Sequence, residues 1–352
     1  MPNYSVAVDI VRLWAPDNLR KVAAGSAVCA VIAAIAYVAD TRGWTHFGTA
    51  FVPPLIVALA IGMALQPLSG RPQLKAGIEF SGRTLLRVGV ALYGARLTLG
   101  NLVDGGPLPV LIALAAVAGT IAFGAVAARA FGLTRNFGLL TGCATGVCGA
   151  AAAMATAAVL PKHENSDRDL AFTVMGVNFI STITMVVYPT LHQALGYSPL
   201  EMGVFLGGSI HDVAQVAGAG QTLGPAILAD SIVTKLLRVA FLLPAVTAIA
   251  WWVAKSGETA GDARPAPPVF LFGFLILAAL NSLGLVPAEV KATITWISSF
   301  LIVVAIAALG MKTSLLTMAR IGLKPVMLLV VETIFIGLLV VGLIYGLRGV
   351  GI

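Results

Sequence analysis

The chain has 352 residues, 59% of them hydrophobic and 11% charged, with a formal net charge of +7. Soluble domains carry roughly 25% charged residues, so this composition, with a mean hydropathy of +0.96, excludes an ordinary soluble protein and points to a polytopic membrane protein. The basic residues gather in short loops without interleaved aromatics, which suits a topology signal and argues against a nucleic-acid partner.

Arg12, Arg20 and Lys21 precede an apolar run over Val22–Ala39. Asp9 and Asp17 in the lead, and the lack of a small-residue cleavage site before Asp40, favour an uncleaved first helix over a signal peptide. A spanning helix needs about 20 mostly apolar residues. That rule places further spans at about Phe47–Leu68, Lys75–Leu99 and Leu108–Phe131. In the third span Glu79, Arg83 and Arg87 recur every four residues and share one face, either snorkelling to the headgroups or facing an anion. Beyond a Gly-rich stretch at about 137–160 come spans at about Leu170–Leu191, Ile232–Val253, Pro268–Leu285, Thr293–Gly310 and Pro325–Tyr345, with a second Gly-rich stretch at about 200–220. Ser256–Pro267 is too short to be a soluble domain, so the whole of 1–352 reads as one integral membrane transporter domain.

The two Gly-rich stretches organise the rest. Leu139–Ala153 reads LLTGCATGVCGAAAA and Phe205–Gly220 reads FLGGSIHDVAQVAGAG. Glycine holds a helix poorly, and polar side chains at membrane depth are costly, so neither stretch suits a lipid-facing span. Aligned Gly142 to Gly208, they resemble each other: Thr145 pairs with His211, Gly146 with Asp212, and Cys148–Ala150 with Ala214–Val216. They read as two discontinuous helices, broken or re-entrant, that build one site near the membrane midplane. A second echo, LYGARLTLGNLV from Leu92 and ALGMKTSLLTMA from Ala308, suggests inverted repeats, the usual construction of secondary transporters. The expected fold is thus all-α, with about 9 to 11 transmembrane segments. Lys and Arg placement puts the N-terminus in the cytoplasm, and re-entrant elements fit that placement better than full crossings.

An interrupted helix offers free N–H groups and a positive dipole end, which suit an oxyanion. Thr145, Gly146, Cys148 and Gly149 stand at the expected start of the second half of the first element. Ser209, Gln215 and, from the neighbouring span, Asn178 are further candidates to hold substrate. The alternative is that Gly and Ala here only allow close packing. His211 and Asp212 are candidates for ion coupling, since imidazole titrates near neutrality and an intramembrane carboxylate suits a proton or sodium ion; a capping Asp beside a core His is the plainer alternative. Lys235 and Arg238, four and seven residues into their expected span, would either draw anions from outside or snorkel. Asn281 and Lys312 are second-tier candidates. Three cysteines, Cys29, Cys143 and Cys148, lie in apolar segments and suggest no disulfide framework. No His or carboxylate cluster accompanies Cys143 and Cys148 to make a metal site, and no phosphate-binding loop implies ATP, so no cofactor is expected.

GCATGVCGAAAAMA, GGSIHDVAQVAGAG, ALYGARLTL and LGMKTSL together resemble the YeiH-like family of bacterial inner-membrane proteins, named for sulfate export. Many of its members carry a Ser-Ser-Ile-Cys-Gly-Ala pattern in the first stretch and His-Glu in the second. Here Thr145 and Gly146 stand near the Ser-Ser position, Cys148 and Gly149 match Cys-Gly, and His211 and Asp212 match the His-acid pair. The resemblance implies a secondary transporter of the inner membrane rather than an enzyme, moving a small anion, with sulfate or sulfite export as the expectation. H+ or Na+ would be the coupling ion. The wider relatives resemble sodium/proton exchangers and bile-acid-type symporters, which implies a scaffold, a mobile core and a homodimer. In that plan Gly310–Ser314 is an alternative place for the second break. A cation/proton exchanger is the competing reading, and an intramembrane enzyme the reading from a different class.

Overall fold

The computed structural model describes residues 16–42, 46–47, 50–51, 54–98, 100, 106–255, 269–312 and 323–348. The linker at 256–267, and the part of the second echo beyond Lys312, lie outside them. The helices in chain order are α1 (Pro16–Thr41), α2 (Pro54–Ala64), α3 (Pro72–Phe80), α4 (Leu86–Tyr93), α5 (Leu108–Ala130), α6 (Arg135–Gly146), α7 (Ala150–Val159) and α8 (Ser166–Thr190). They continue with α9 (Pro199–Ser209), α10 (Val213–Leu223), α11 (Pro225–Ala240), α12 (Leu242–Lys255), α13 (Val269–Ser282), α14 (Ala288–Lys312) and α15 (Leu323–Arg348). Apart from short 3-10 and π turns and a one-turn helix at His192–Leu195, the only other regular element described is a two-residue antiparallel ladder, His46–Phe47 with Ala50–Phe51.

Six helical stretches among the described residues are long and apolar enough to cross a membrane: Lys21–Thr41, Leu108–Ala130, Ser166–Thr190, Pro225–Lys255, Ala288–Lys312 and Leu323–Arg348. Three stretches read from hydropathy as full spans form shorter helices. The second is the 11-residue α2 and the seventh the 14-residue α13. The third is α3 and α4 joined by a π turn at Ser81–Leu85, which shifts the spacing of Glu79, Arg83 and Arg87 away from a strict helical face.

The chain divides into two compact units. The first contains α1 to α4, α13 and α14. Its helices meet through glycines that let backbones approach. A Cβ on Gly310 would stand 2.5 Å from the Leu59 carbonyl oxygen and 3.1 Å from the Gly62 Cα. α14 runs unbroken through Gly310 to Lys312, so this glycine serves packing against α2 and not a helix break. Asn281 donates to the Leu97 carbonyl at 2.9 Å and ties the end of α13 to the chain after α4.

The second unit contains α5 to α12 and α15. α5 and α6 pack through Gly124, whose Cβ would fall 2.5 Å from the Gly138 carbonyl oxygen and 3.0 Å from the Gly142 Cα. α15 lies beside α5, with Phe123 and Phe335 stacked at 4.1 Å between centroids. Caps set the helix starts. Thr134 accepts from the Phe137 amide at 3.1 Å to open α6, and Ser198 with Glu201 forms a capping box that opens α9. Arg348 at the end of α15 donates to Glu201 Oε2 at 2.6 Å, and Tyr345 donates to the Leu195 carbonyl, so the last helix is tied to the entry of α9. Val110, Leu111, Leu114 and Val126 on α5, and Met327, Val330, Ile334 and Leu338 on α15, are exposed. Such apolar faces suit contact with lipid.

Candidate functional site

The second unit contains two helix interruptions of equal length. α6 stops at Gly146 and α7 starts at Ala150; α9 stops at Ser209 and α10 starts at Val213. In the first gap Val147 leaves helical geometry with φ −107 and ψ −84, and Gly149 takes φ +68, a left-handed conformation that favours glycine. In the second gap Ile210 and Asp212 are extended, and the Asp212 carboxylate caps α10 by accepting from the Ala214 amide at 2.9 Å. The sequence register placed Thr145, Gly146 and Cys148 at the start of the second half-helix. Thr145 and Gly146 instead end the first, and the two half-helix starts are marked by Gly149 and Asp212.

That difference reverses the local electrostatics. A helix C-terminus presents carbonyls and about half a unit of negative charge. α6 and α9 both end this way, and α11 answers with two cations. Lys235 and Arg238 are 0% exposed. Lys235 Nζ donates to the carbonyls of Val147 at 2.6 Å and Ile210 at 2.9 Å. Arg238 donates from Nε to Gly146 at 2.7 Å and from Nη2 to Thr145 at 2.7 Å. Its Nη1 reaches Gly207 at 3.1 Å, Gly208 at 2.8 Å and Ile210 at 2.9 Å. Two side chains one helical turn apart therefore hold carbonyls from both interrupted elements together. Neither snorkels: α11 begins at Pro225, so both sit deep within it.

The opposite ends, the starts of α7 and α10, carry the positive dipole. No side chain caps α7. A Cβ on Gly149 would lie 3.6 Å from Asp212 Oδ2 and 3.8 Å from Asn178 Oδ1, so these two oxygens face the start of α7. Ser181 of α8 accepts from the Asp212 amide at 3.2 Å. Gln215, fully buried, donates to Thr182 at 3.5 Å and leaves Oε1 without a hydrogen-bond partner among the described residues. The structure thus brings Gly149, Asn178, Asp212, Ser181, Thr182 and Gln215 around the half-helix starts. Ser209 is turned back onto its own helix, donating to the Phe205 carbonyl. Cys143 and Cys148 are free, buried thiols.

His211 points elsewhere from its neighbour. Its Nε2 lies 2.9 Å from Thr333 Oγ1 of α15, and Thr333 donates its one hydroxyl proton to the Leu329 carbonyl at 2.7 Å. Nε2 is then the donor, which assigns the neutral ring its tautomer. One residue before Thr333, Glu332 is 0% exposed and takes hydroxyls from Thr141 at 2.7 Å and Thr145 at 3.2 Å. Sequence reading passed over Glu332, Thr333 and Thr141, because no glycine-rich break marks them. The available signal was one carboxylate in the middle of an otherwise apolar run, VMLLVVETIFIGLLVV.

Residues 22–329 match the profile of the family described as Conserved hypothetical protein 698. The UPF0324 membrane protein TauZ of Paracoccus denitrificans is 44% identical over 321 residues, covering 90% of this chain and 93% of the relative. A UPF0324 membrane protein of Chlorobaculum tepidum is 41% identical over 315 residues, covering 89% and 86%. One from Bacillus cereus is 33% identical over 297 residues, covering 83% and 86%. No solved structure matches.

Proposed function

The chain belongs to the Conserved hypothetical protein 698 family of UPF0324 membrane proteins, multi-pass proteins of the bacterial inner membrane, and we propose that it is a secondary transporter moving a small anion by alternating access. Sulfate or sulfite is the favoured cargo and export the favoured direction, with protons or sodium as the coupling ion. The observation that carries this reading is the charge at the two interruptions. Two buried cations, Lys235 and Arg238, stand with the carboxylate of Asp212 and the carboxyl of Glu332, which holds Thr145 at the end of α6, while the dipole ends of the four half-helices roughly cancel, each being about half a charge. With Glu332 protonated the surplus is positive, and the start of α7 beside Gly149 offers backbone N–H groups to an oxyanion.

The architecture belongs to the same reading: about nine to eleven membrane segments, with inverted repeats whose interrupted elements meet near the midplane. The first element has half-helices of 12 and 10 residues and the second of 11 and 11. At 1.5 Å per residue each half-helix is about half the roughly 30 Å hydrocarbon core, so each pair can cross if its halves run on in line or turn back at the midplane if they fold over. Thr145 and Gly146 then shape the crossing through their carbonyls. In this reading Gly149, Asn178 and Gln215 face cargo, and Asp212 exchanges a coupling ion. A second reading, cation/proton exchange, is favoured by Asp212 Oδ2 and Asn178 Oδ1 facing the same glycine.

Uptake of radiolabelled sulfate and sulfite into proteoliposomes, with and without an imposed pH or sodium gradient, tests the proposal. Gradient-stimulated, saturable flux in the parent, with the gradient dependence lost in Asp212→Asn, is the expected result. Sodium-driven pH changes in the lumen with no anion requirement would instead establish the exchanger.

A further inference from the structure

Glu332 stands outside the cluster around Asp212, and its surroundings are unusual for a buried carboxylate. Both oxygens are inside the protein on α15, held by the hydroxyls of Thr141 and Thr145, and no cation among the described residues pairs with them. An ionised carboxylate held there by two hydroxyls alone is costly, and protonation relieves that cost. The hydroxyls are arranged to accept either state. Thr141 lies 2.7 Å from Glu332 Oε1 and also 3.2 Å from the Phe137 carbonyl and 3.3 Å from the Gly138 carbonyl. With the carboxylate ionised, Thr141 donates to it. With the acid protonated, the acid donates to Thr141, whose own proton turns to a helix carbonyl. Gly124 leaves the space Glu332 occupies, since a Cβ there would stand 2.5 Å from Oε1.

Titratable groups on the elements packed against α15 are mostly engaged elsewhere or exposed. Arg129 of α5 is exposed, Arg135 of α6 lies over Trp252, and Glu201 of α9 is held by Arg348. On α8, Asp167 and Arg168 are exposed, Asp169 faces His163, and the Tyr188 hydroxyl would meet a side chain at Gly337. Cys143 of α6 is buried near Thr141 in sequence. His211 is the group that reaches this part of α15, through Thr333. On α15 itself Lys324, Tyr345 and Arg348 lie near the ends.

We propose that Glu332, with Thr141 and Thr145, is a proton-binding site separate from Asp212, and that it binds and releases a proton during transport. Its place in coupling rests on the transport reading; the protonation itself does not. The test is infrared difference spectroscopy of the full-length protein in lipid, stepped in pH, comparing parent, Glu332→Gln, Asp212→Asn and Thr141→Val. A protonated-carboxyl band that comes and goes with pH in the parent and in Asp212→Asn, is absent in Glu332→Gln and moves in Thr141→Val supports the site, even in a preparation that carries no sulfate. The same band in Glu332→Gln, no such band in the parent, or its removal by sodium at fixed pH would each overturn it, the last by making this a cation site. Glu332→Gln keeps acceptors and donors for both threonines, and its unfolding temperature reports that it folds. In liposomes that do carry anion, the pH dependence of its flux should be lost.

Discussion

Arg238 makes five hydrogen bonds to main-chain carbonyls from three nitrogens, and its fork is what spans α6 and α9 at once. Lysine presents one point charge with three donors on a flexible stem, so it cannot reach the same set. Each buried carbonyl left unpaired costs about 1–3 kcal/mol. Arg238→Lys should therefore lower the apparent unfolding temperature of the purified protein, and Arg238→Met should lower it further by stranding the carbonyls of Thr145, Gly146, Gly207 and Gly208, the Ile210 carbonyl keeping Lys235. An unchanged midpoint in both would mean that the carbonyls find other partners and that the pair does not hold the interruptions. The physical lesson is that a cation read from sequence as a membrane-surface residue depends on where its helix begins. With the start taken near Ile232, Lys235 and Arg238 look superficial; with it at Pro225 they are buried.

At the scale of elements, Gly149 and Gly196 differ instructively. Both take positive φ, +68 and +57, but Gly196 has ψ 36, in the left-handed helical region with open space around it, whereas Gly149 has ψ −124, a conformation that only glycine adopts readily. Alanine in the left-handed helical region costs about 1–2 kcal/mol, so Gly196→Ala should lose about that much stability and Gly149→Ala more. Only Gly149→Ala should also weaken anion flux, because its new methyl faces Asp212 and Asn178. Equal flux in the two variants would remove the start of α7 from the binding site. The presence of the two interruptions was legible in the sequence because glycine and polar residues inside apolar runs conflict with a lipid-facing helix. Their register was not. Gly146 and Gly149 are the same residue type three positions apart, and only the backbone shows that the first still belongs to α6 while the second turns left-handed. Glu332 was hidden for the converse reason: its helix is regular throughout, and its significance comes from Thr141 and Thr145, far away in the chain.

For the whole molecule, the distribution of Lys and Arg carries a prediction about sidedness. With the N-terminus inside and every uninterrupted span of the hydropathy reading crossing, α2, α3–α4 and α13 included, the end after Arg348 lies outside, whether the two interrupted elements cross or return; the six long helices alone would leave it inside. Alkaline phosphatase fused after Ile352 should be active and a fluorescent protein dark; the opposite pattern would invert the assignment. Hydropathy found the long helices readily, yet it read α2 and α13 as full spans. Their helices run 11 and 14 residues, and α13 keeps Val269, Phe272, Leu275 and Ile276 exposed, as a lipid-facing segment would.

The buried thiol of Cys148 sits in the first gap between Val147 and Gly149, and Cys143 lies one turn before it. On the transport reading, the natural chain thus carries a chemical reporter inside the gap. A small, charged, membrane-impermeant thiol reagent can modify Cys148 only while water reaches the gap, and only from the side on which it does. Labelling rates measured from each face of the membrane, with and without sulfate, would clock how often the gap opens to that face. Faster labelling from one side at high substrate and from the other at low would be the time signature of alternating access, recorded without altering a residue.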